Sequence, residues 1–226
     1  MQTDHATRAE DRVPLRQKLA VGAGGFPFHN GTLIVQYMAQ PIFQIFLGLN
    51  PALFGLAMTI PRVWDAFTDP IMGRISDRYQ SKFGRRRPFV FVGAIAMALT
   101  FLSIWMVPQS FGEMETFWWL VISTILFFTA YTVFSVPCYA LTCELTPDYH
   151  ERTRVMFYWA LFFNIGNFCV NWYVPATNWD IFENPLIGAR SVALFLGIFV
   201  FFLLGSLPAI FGRERFYSLS QKEGSK

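Results

Sequence analysis

Residues 60–78 read IPRVWDAFTDPIMGRISDR. The stretch is mostly apolar, yet Arg62, Asp65 and Asp69 lie inside it. At about 1.5 Å per helical residue, Asp65 is ~18 Å from the polar turn at Asp77. The i, i+4 spacing places both carboxylates on one helix face, and Arg62, three residues before Asp65, joins them. A soluble helix could carry such a face without comment, so the surrounding chain decides the reading.

That chain is apolar to a degree no aqueous core of its size absorbs. Of 226 residues, 54% are hydrophobic and only 15% charged, against about 25% charged in soluble domains. Phe alone contributes 26 residues, and the mean hydropathy is +0.37. A soluble enzyme, a disordered chain and a disulfide scaffold are excluded. Cys138, Cys143 and Cys169 all fall in apolar runs without CxxC spacing, which reads as small buried hydrophobes. The polar start of the chain has no apolar run before a small-residue cleavage site, so no cleaved signal peptide is expected.

The expected fold is all-α, a polytopic membrane protein with six transmembrane helices. A crossing needs about 20 apolar residues. Six stretches qualify: 19–47, 51–76, 88–108, 116–143, 155–179 and 191–212. Residues 1–18 form an N-terminal tail and 213–226 a C-terminal one. Runs such as FLGIFVFFLL at 195–204 lack the alternation of barrel strands. Sixteen of the 18 Lys and Arg fall in the two tails and in the second-to-third and fourth-to-fifth connections. Both termini are therefore expected in the cytoplasm, with the chain in the cell (inner) membrane. The Arg85–Arg87 run then reads as a topology signal, and no nucleic-acid partner is expected.

Charge inside a bilayer is costly unless it is paired or faces a polar cavity. Arg62 can neutralise one aspartate as its charge partner, which leaves one carboxylate needing a cation or a proton. Two readings follow from the residues. Either the charges only fix helix packing, with one Asp protonated, or they form a cation site that empties and refills. Carboxylates and hydroxyls suit a hard cation such as Na⁺, and the same group could carry H⁺. Pro61 and Pro70 are expected to interrupt the helix on either side and free backbone carbonyls.

Three other helices carry uncharged polar stripes. His29, Gln36, Gln40 and Gln44 share a face of the first helix. Thr129, Thr132 and Ser135, with Tyr139 a turn on, mark the fourth, and Asn164, Asn167 and Asn171 the fifth. Each stripe alone reads equally well as interhelical hydrogen bonding. Together with the carboxylates they outline a wet cavity suited to a polyhydroxylated small-molecule solute. No nucleophile–base pair or metal-ligand spacing appears, so neither an enzyme nor a cofactor is expected, only a coupling cation.

RVWDAFTDPIMGRISDR at 62–78, SKFGRRRP at 81–88 and VPCYALTCELTPDYHERTR at 136–154 resemble the N-terminal half of a major facilitator superfamily transporter. More narrowly they are similar to the glycoside–pentoside–hexuronide:cation symporters, the family of melibiose permease. The resemblance implies Na⁺- or H⁺-coupled transport of a sugar or glycoside by alternating access. It implies cation binding by Asp65, Asp69 and Thr132, and assigns Gly73, Asp77, Arg78, Arg85 and Arg86 to the superfamily's loop motif. Two substrate positions depart from melibiose permease: the acids that hold its galactoside in helices one and four are here His29 and Ser135. The arginine expected early in helix five is Ala160. Galactosides therefore do not carry over, and animal relatives transport lysophospholipids. The superfamily fold has two six-helix halves, so a second half, either another copy or separately encoded, is an expected partner. The alternatives are an amphiphile carrier and a truncated or non-transporting membrane scaffold.

Overall fold

The computed structural model describes residues 11–212. Six helical rods run back and forth, with no strand among the described residues. The first, α1, is built of Leu15–Ala23, Gly25–Ala39 and a π-helical turn over Gln40–Phe46. Then follow α2 (Pro51–Arg78), α3 (Arg87–Ile104), α4 (Glu113–Cys143) and α5 (Tyr149–Thr177). The last, α6, runs from Pro185 to Phe211 and contains a π-helical stretch at Leu196–Leu204. By length and composition, α3, α4 and α6 are apolar enough to cross a membrane. The other three are more polar: α2 carries its charged groups, α1 its Gln and His, and α5 its three asparagines.

Local signals account for the helix starts. Asn50 caps α2 by accepting from the Ala52 N–H at 2.8 Å, with Pro51 at the first helical position. Asp148 caps α5 through the Glu151 N–H at 2.7 Å, and Asn184 caps α6 through the Ile187 N–H at 2.9 Å. The two prolines within α2 do not break it. The helix is continuous over 28 residues, because Pro removes only one ladder bond each time and neighbouring turns hold the axis.

Helices α1 and α4 form the centre. On one side α3 packs on α4 and α6, and α5 packs on α1 and α6. Helix α2 packs chiefly on α4, with the π-turn of α1 as its other neighbour. The core is aromatic: Phe101, Trp105, Phe127 and Phe201 are fully buried and interlock at centroid spacings of 5.0–5.9 Å. Close approach of α3 to α4 depends on Gly93, where a Cβ would meet the Phe134 N at 2.6 Å. Small residues serve this role in membrane bundles because lipid offers no hydrophobic drive to associate.

The two ends are tied differently. At the basic end, Glu151 is buried and accepts from the Val13 N–H at 3.0 Å, from Lys18, and from Arg154 at 3.2 Å. Thr146 donates to the Asp11 carbonyl at 2.9 Å, so the segment before α1 is strapped onto the α4–α5 connection. At the other end Arg190 donates to the Trp105 and Val107 carbonyls at 3.0 and 2.9 Å.

Burial disfavours ionised Glu151, but the bonds from Lys18, the Val13 N–H and Arg154 outweigh it and hold the carboxyl below its ordinary value of 4.5. A depressed carboxylate stabilises the fold above its unfolded pKa and loses that contribution as pH falls through the folded one. Glu151→Gln should therefore lower stability at pH 7 by about 2 kcal/mol, the scale of a lost charge-assisted buried bond. The gap between parent and variant melting temperatures in detergent should close as the pH is taken below about 4.5. A gap that stays constant to pH 3 would show that the carboxylate charge is not what counts.

Candidate functional site

One face of the bundle is left open between α2 and α5, with α1 and α4 behind it. Of the 28 residues of α2, only Ala57, Pro61, Met72 and Ser76 are buried. The polar residues singled out from sequence fall mainly on this face.

Its centre is a single hydroxyl. Thr132 of α4 is 1% exposed, with its Oγ1 2.8 Å from Asp65 Oδ1 and 3.0 Å from Asp69 Oδ1. The hydroxyl has one proton, so it donates to one carboxylate at a time. Thr68 extends the group: its Oγ1 lies 3.5 Å from that of Thr132, and it donates to the Asp65 carbonyl at 3.2 Å. One turn away on α4, Thr129 accepts from Trp64 Nε1 at 2.9 Å. Thr68 and Trp64 were not singled out from sequence. Thr68, one residue before Asp69, could have been found as a third oxygen on the carboxylate face.

Arg62 departs from expectation. It makes no ion pair with either aspartate. Its Nη2 donates to the Thr32 carbonyl of α1 at 2.7 Å, and the guanidinium lies 4.7 Å from the Phe128 ring centroid. A neutral carbonyl and an aromatic face hold the cation without cancelling its charge. The carboxylates gain its field but not its hydrogen bonds. Beside Arg62 is a cavity of about 270 Å³ lined also by Gln36, Met58, Thr59 and Phe128.

The polar stripes divide between two flanks. Gln36 borders α2 through that cavity, while Gln40 lies exposed in the π-turn of α1. His29 is buried and reaches α5, its Nε2 3.1 Å from Asn167 Oδ1 and its ring 4.1 Å from that of Phe163. Asn164 turns its amide back to the Ala160 carbonyl at 2.7 Å. Asn171 does the same to the Asn167 carbonyl at 3.2 Å. One N–H of each of these amides is engaged by its own helix, which leaves the second N–H and the oxygen for a partner. Between the flanks is an aromatic floor: Phe28, Tyr139 and Trp159 lie 5.5–6.1 Å apart. Tyr131 donates to the Phe28 carbonyl at 3.0 Å, and Ser135 is buried beside it.

The loop-motif residues form a separate cluster at the basic end. Arg86 is 2.6 Å from Asp77 and 2.7 Å from Glu144 of α4. Arg85 reaches Glu144 at 3.1 Å and Asp77 at 3.8 Å. Gly84 makes the preceding turn with φ of 108°, which favours glycine. Arg78 is exposed and takes no part in these pairs, and a Cβ at Gly73 would meet only ordinary contact with Val136 at 3.9 Å. Glu144 was missed as a member, although it is the first acid after the apolar run of α4.

Residues 20–211 match the family described as MFS/sugar transport protein. An uncharacterized symporter of Synechocystis is 35% identical over 151 residues, covering 64% of this chain and 28% of that protein. The chicken sodium-dependent lysophosphatidylcholine symporter 1 is 28% identical over 66% of this chain and 28% of its own length. A putative glycoside/cation symporter of Escherichia coli is 28% identical over 62% of this chain and 30% of its own length. The chain thus spans less than a third of these curated relatives. With its all-helical bundle and the match across nearly all of its described length, this chain belongs to the MFS/sugar transport protein family.

Proposed function

We propose that this chain is one half of a cation-coupled secondary transporter and that Asp65, Asp69 and Thr132 hold the coupling ion, Na⁺ or H⁺. The observation that carries the reading is the Thr132 hydroxyl shared by two carboxylates on an open face. The donor set is all oxygen, as hard cations prefer. With Arg62 held by a backbone carbonyl, the empty group bears two carboxylates and one remote positive charge. A bound monovalent cation brings it to near neutrality. Closing a second half over an empty group would desolvate an uncompensated charge, a cost of several kcal/mol. A loaded group escapes most of that cost, and this difference couples ion to solute.

Asp65→Asn and Asp69→Asn remove that charge and the need for a cation. In vesicles holding the complete transporter, each should abolish accumulation driven by a Na⁺ or H⁺ gradient while leaving solute exchange measurable. If both variants concentrate solute as the parent does, the carboxylates are structural. Thr132→Val keeps the shape and removes the oxygen. It should weaken the apparent cation affinity about tenfold, the worth of a hydrogen bond to a charged group. Trp64, bonded one turn away, offers a fluorescence signal for that titration, and an unchanged midpoint would remove Thr132 from the site.

For the solute, we favour a sugar or glycoside. The amides of α5 and the aromatic floor suit hydroxyls and ring faces respectively. The names of several relatives support a second reading, a lysolipid carrier. Uptake of glycosides measured against lysophosphatidylcholine in the same vesicles separates the two. The second half, another copy or a separate chain, would cover the open face, where unpaired polar groups would otherwise meet hydrocarbon.

The excess of Lys and Arg at the basic end supports the reading that both termini lie in the cytoplasm. A reporter fused after Lys226 should be active only there. Activity on the outer side would invert the orientation.

A further inference from the structure

At the end of the bundle opposite the basic one, residues 178–184 connect α5 to α6. Here the two helices part around a cavity of about 480 Å³. Most of its lining is aromatic: Trp172 and Tyr173 come from α5, Trp179 and Phe182 from the connection, and Phe195 from α6. Trp172, Trp179 and Phe195 are 64, 57 and 56% exposed, so the cavity opens on the outer wall of the bundle. It is separate from the group at Asp65 and Asp69, which α2 and α4 hold together.

An interfacial belt accounts for tryptophan near a helix end. It does not account for how these rings are spaced. Large rings gathered in one place gain by stacking or meeting edge to face, at about 4.5–7 Å. Among the described residues no two of these five are so paired, and Phe195 instead meets Phe199 of its own helix at 4.8 Å. The five stand apart around the space. Almost no polar atom faces it: the Ser191 hydroxyl donates to the Ile187 carbonyl at 3.0 Å, and that of Tyr173 is buried. No Lys, Arg, Asp or Glu lines the cavity, but exposed Asp180 and Glu183 directly follow Trp179 and Phe182 in the connection. Arg190, the cation nearest in sequence, is turned to the end of α3, where it donates to the Trp105 and Val107 carbonyls.

These properties select one chemistry. An acyl chain would fill the space but has no use for aromatic faces or for the two acids. A sugar or a primary ammonium brings donors that need acceptors, and these walls offer almost none. A quaternary ammonium carries a full positive charge and no donor, so aromatic faces satisfy it while its methyl groups pack as apolar ones. We propose that the cavity binds the trimethylammonium headgroup of a lipid in the adjoining leaflet, caged by Trp172, Trp179 and Phe182 and complemented in charge by Asp180 and Glu183. Its opening on the outer wall at the level of the helix ends sets it beside lipid headgroups.

The test uses the full chain in detergent and native mass spectrometry. The probes are phosphatidylcholine, phosphatidylethanolamine and the carbon isostere of phosphatidylcholine, the phosphate ester of 3,3-dimethylbutanol, all with identical chains. The parent should retain phosphatidylcholine about tenfold over each of the others. Trp172→Leu and Trp179→Leu each remove an aromatic face at an exposed position and keep apolar bulk. Each should lower retention of phosphatidylcholine about fivefold and leave that of phosphatidylethanolamine unchanged. Trp118→Leu, exposed on α4 outside the cavity, should alter neither. Asp180→Asn with Glu183→Gln should lower phosphatidylcholine retention about threefold. Equal retention of phosphatidylcholine and its carbon isostere overturns the proposal, because charge would then not count. So does retention untouched by both tryptophan variants, or choline alone bound as tightly as the lipid, which would make the cavity a site for a soluble cation.

Discussion

Two carboxylates on the open face, Asp65 half-buried and Asp69 exposed, depend on one buried hydroxyl of α4. Thr132 can hold its place only because α4 is the buried centre of the fold, with 17 of its 31 residues buried. Asp65 and Asp69 can reach it only because α2 lies along α4 rather than across it. The aromatic core between α3, α4 and α6 serves that end. It sets the position and rotation of α4, and those fix where the hydroxyl points. Change the packing at Gly93 and the effect would travel through α4 to the carboxylates, with no contact to them at all.

The two halves of the sequence-derived site rest on different physical grounds. The α2–α4 group is a matter of spacing. Residues four apart lie on one face whatever else the helix does, so the meeting of Asp65 and Asp69 was legible. Their common partner on α4 came through the family resemblance. The position of Arg62 was not legible, because periodicity gives a direction around the helix and says nothing of which acceptor within reach wins. Thr32 and Phe128 belong to α1 and α4, and their approach is a tertiary fact. The asparagines of α5 are a similar case. Their face was readable, but a short amide can turn back to its own helix, and Asn164 and Asn171 do.

Helix existence was plain from the apolar runs, and the caps Asn50 and Asp148 mark starts that sequence chemistry favours. The π-helical stretches were not plain. Pro41 hints at the one in α1, since it removes an N–H from the ladder, but Leu196–Leu204 is uniformly apolar and gives no sign. The continuity of α2 through Pro61 and Pro70 runs against a simple reading of proline as a breaker. In a long helix packed along its length, losing two ladder bonds is tolerated. The carbonyls so released lie in the same helix as Asp65 and Asp69.

Helix α2 is fastened along one side only. Its companions in the core would expose large aromatic surfaces on parting, but α2 has mainly its seam with α4 to lose. In a bundle whose parts open with different free energies, it occupies the lowest rung. Amide exchange would find its turns first, and mild denaturant would free it before α3 or α6. The element that carries the ionisable residues is thus the one best able to tilt while the remainder keeps its shape, and a load that stitches α2 to α4 through the shared hydroxyl would act on the weakest joint in the molecule.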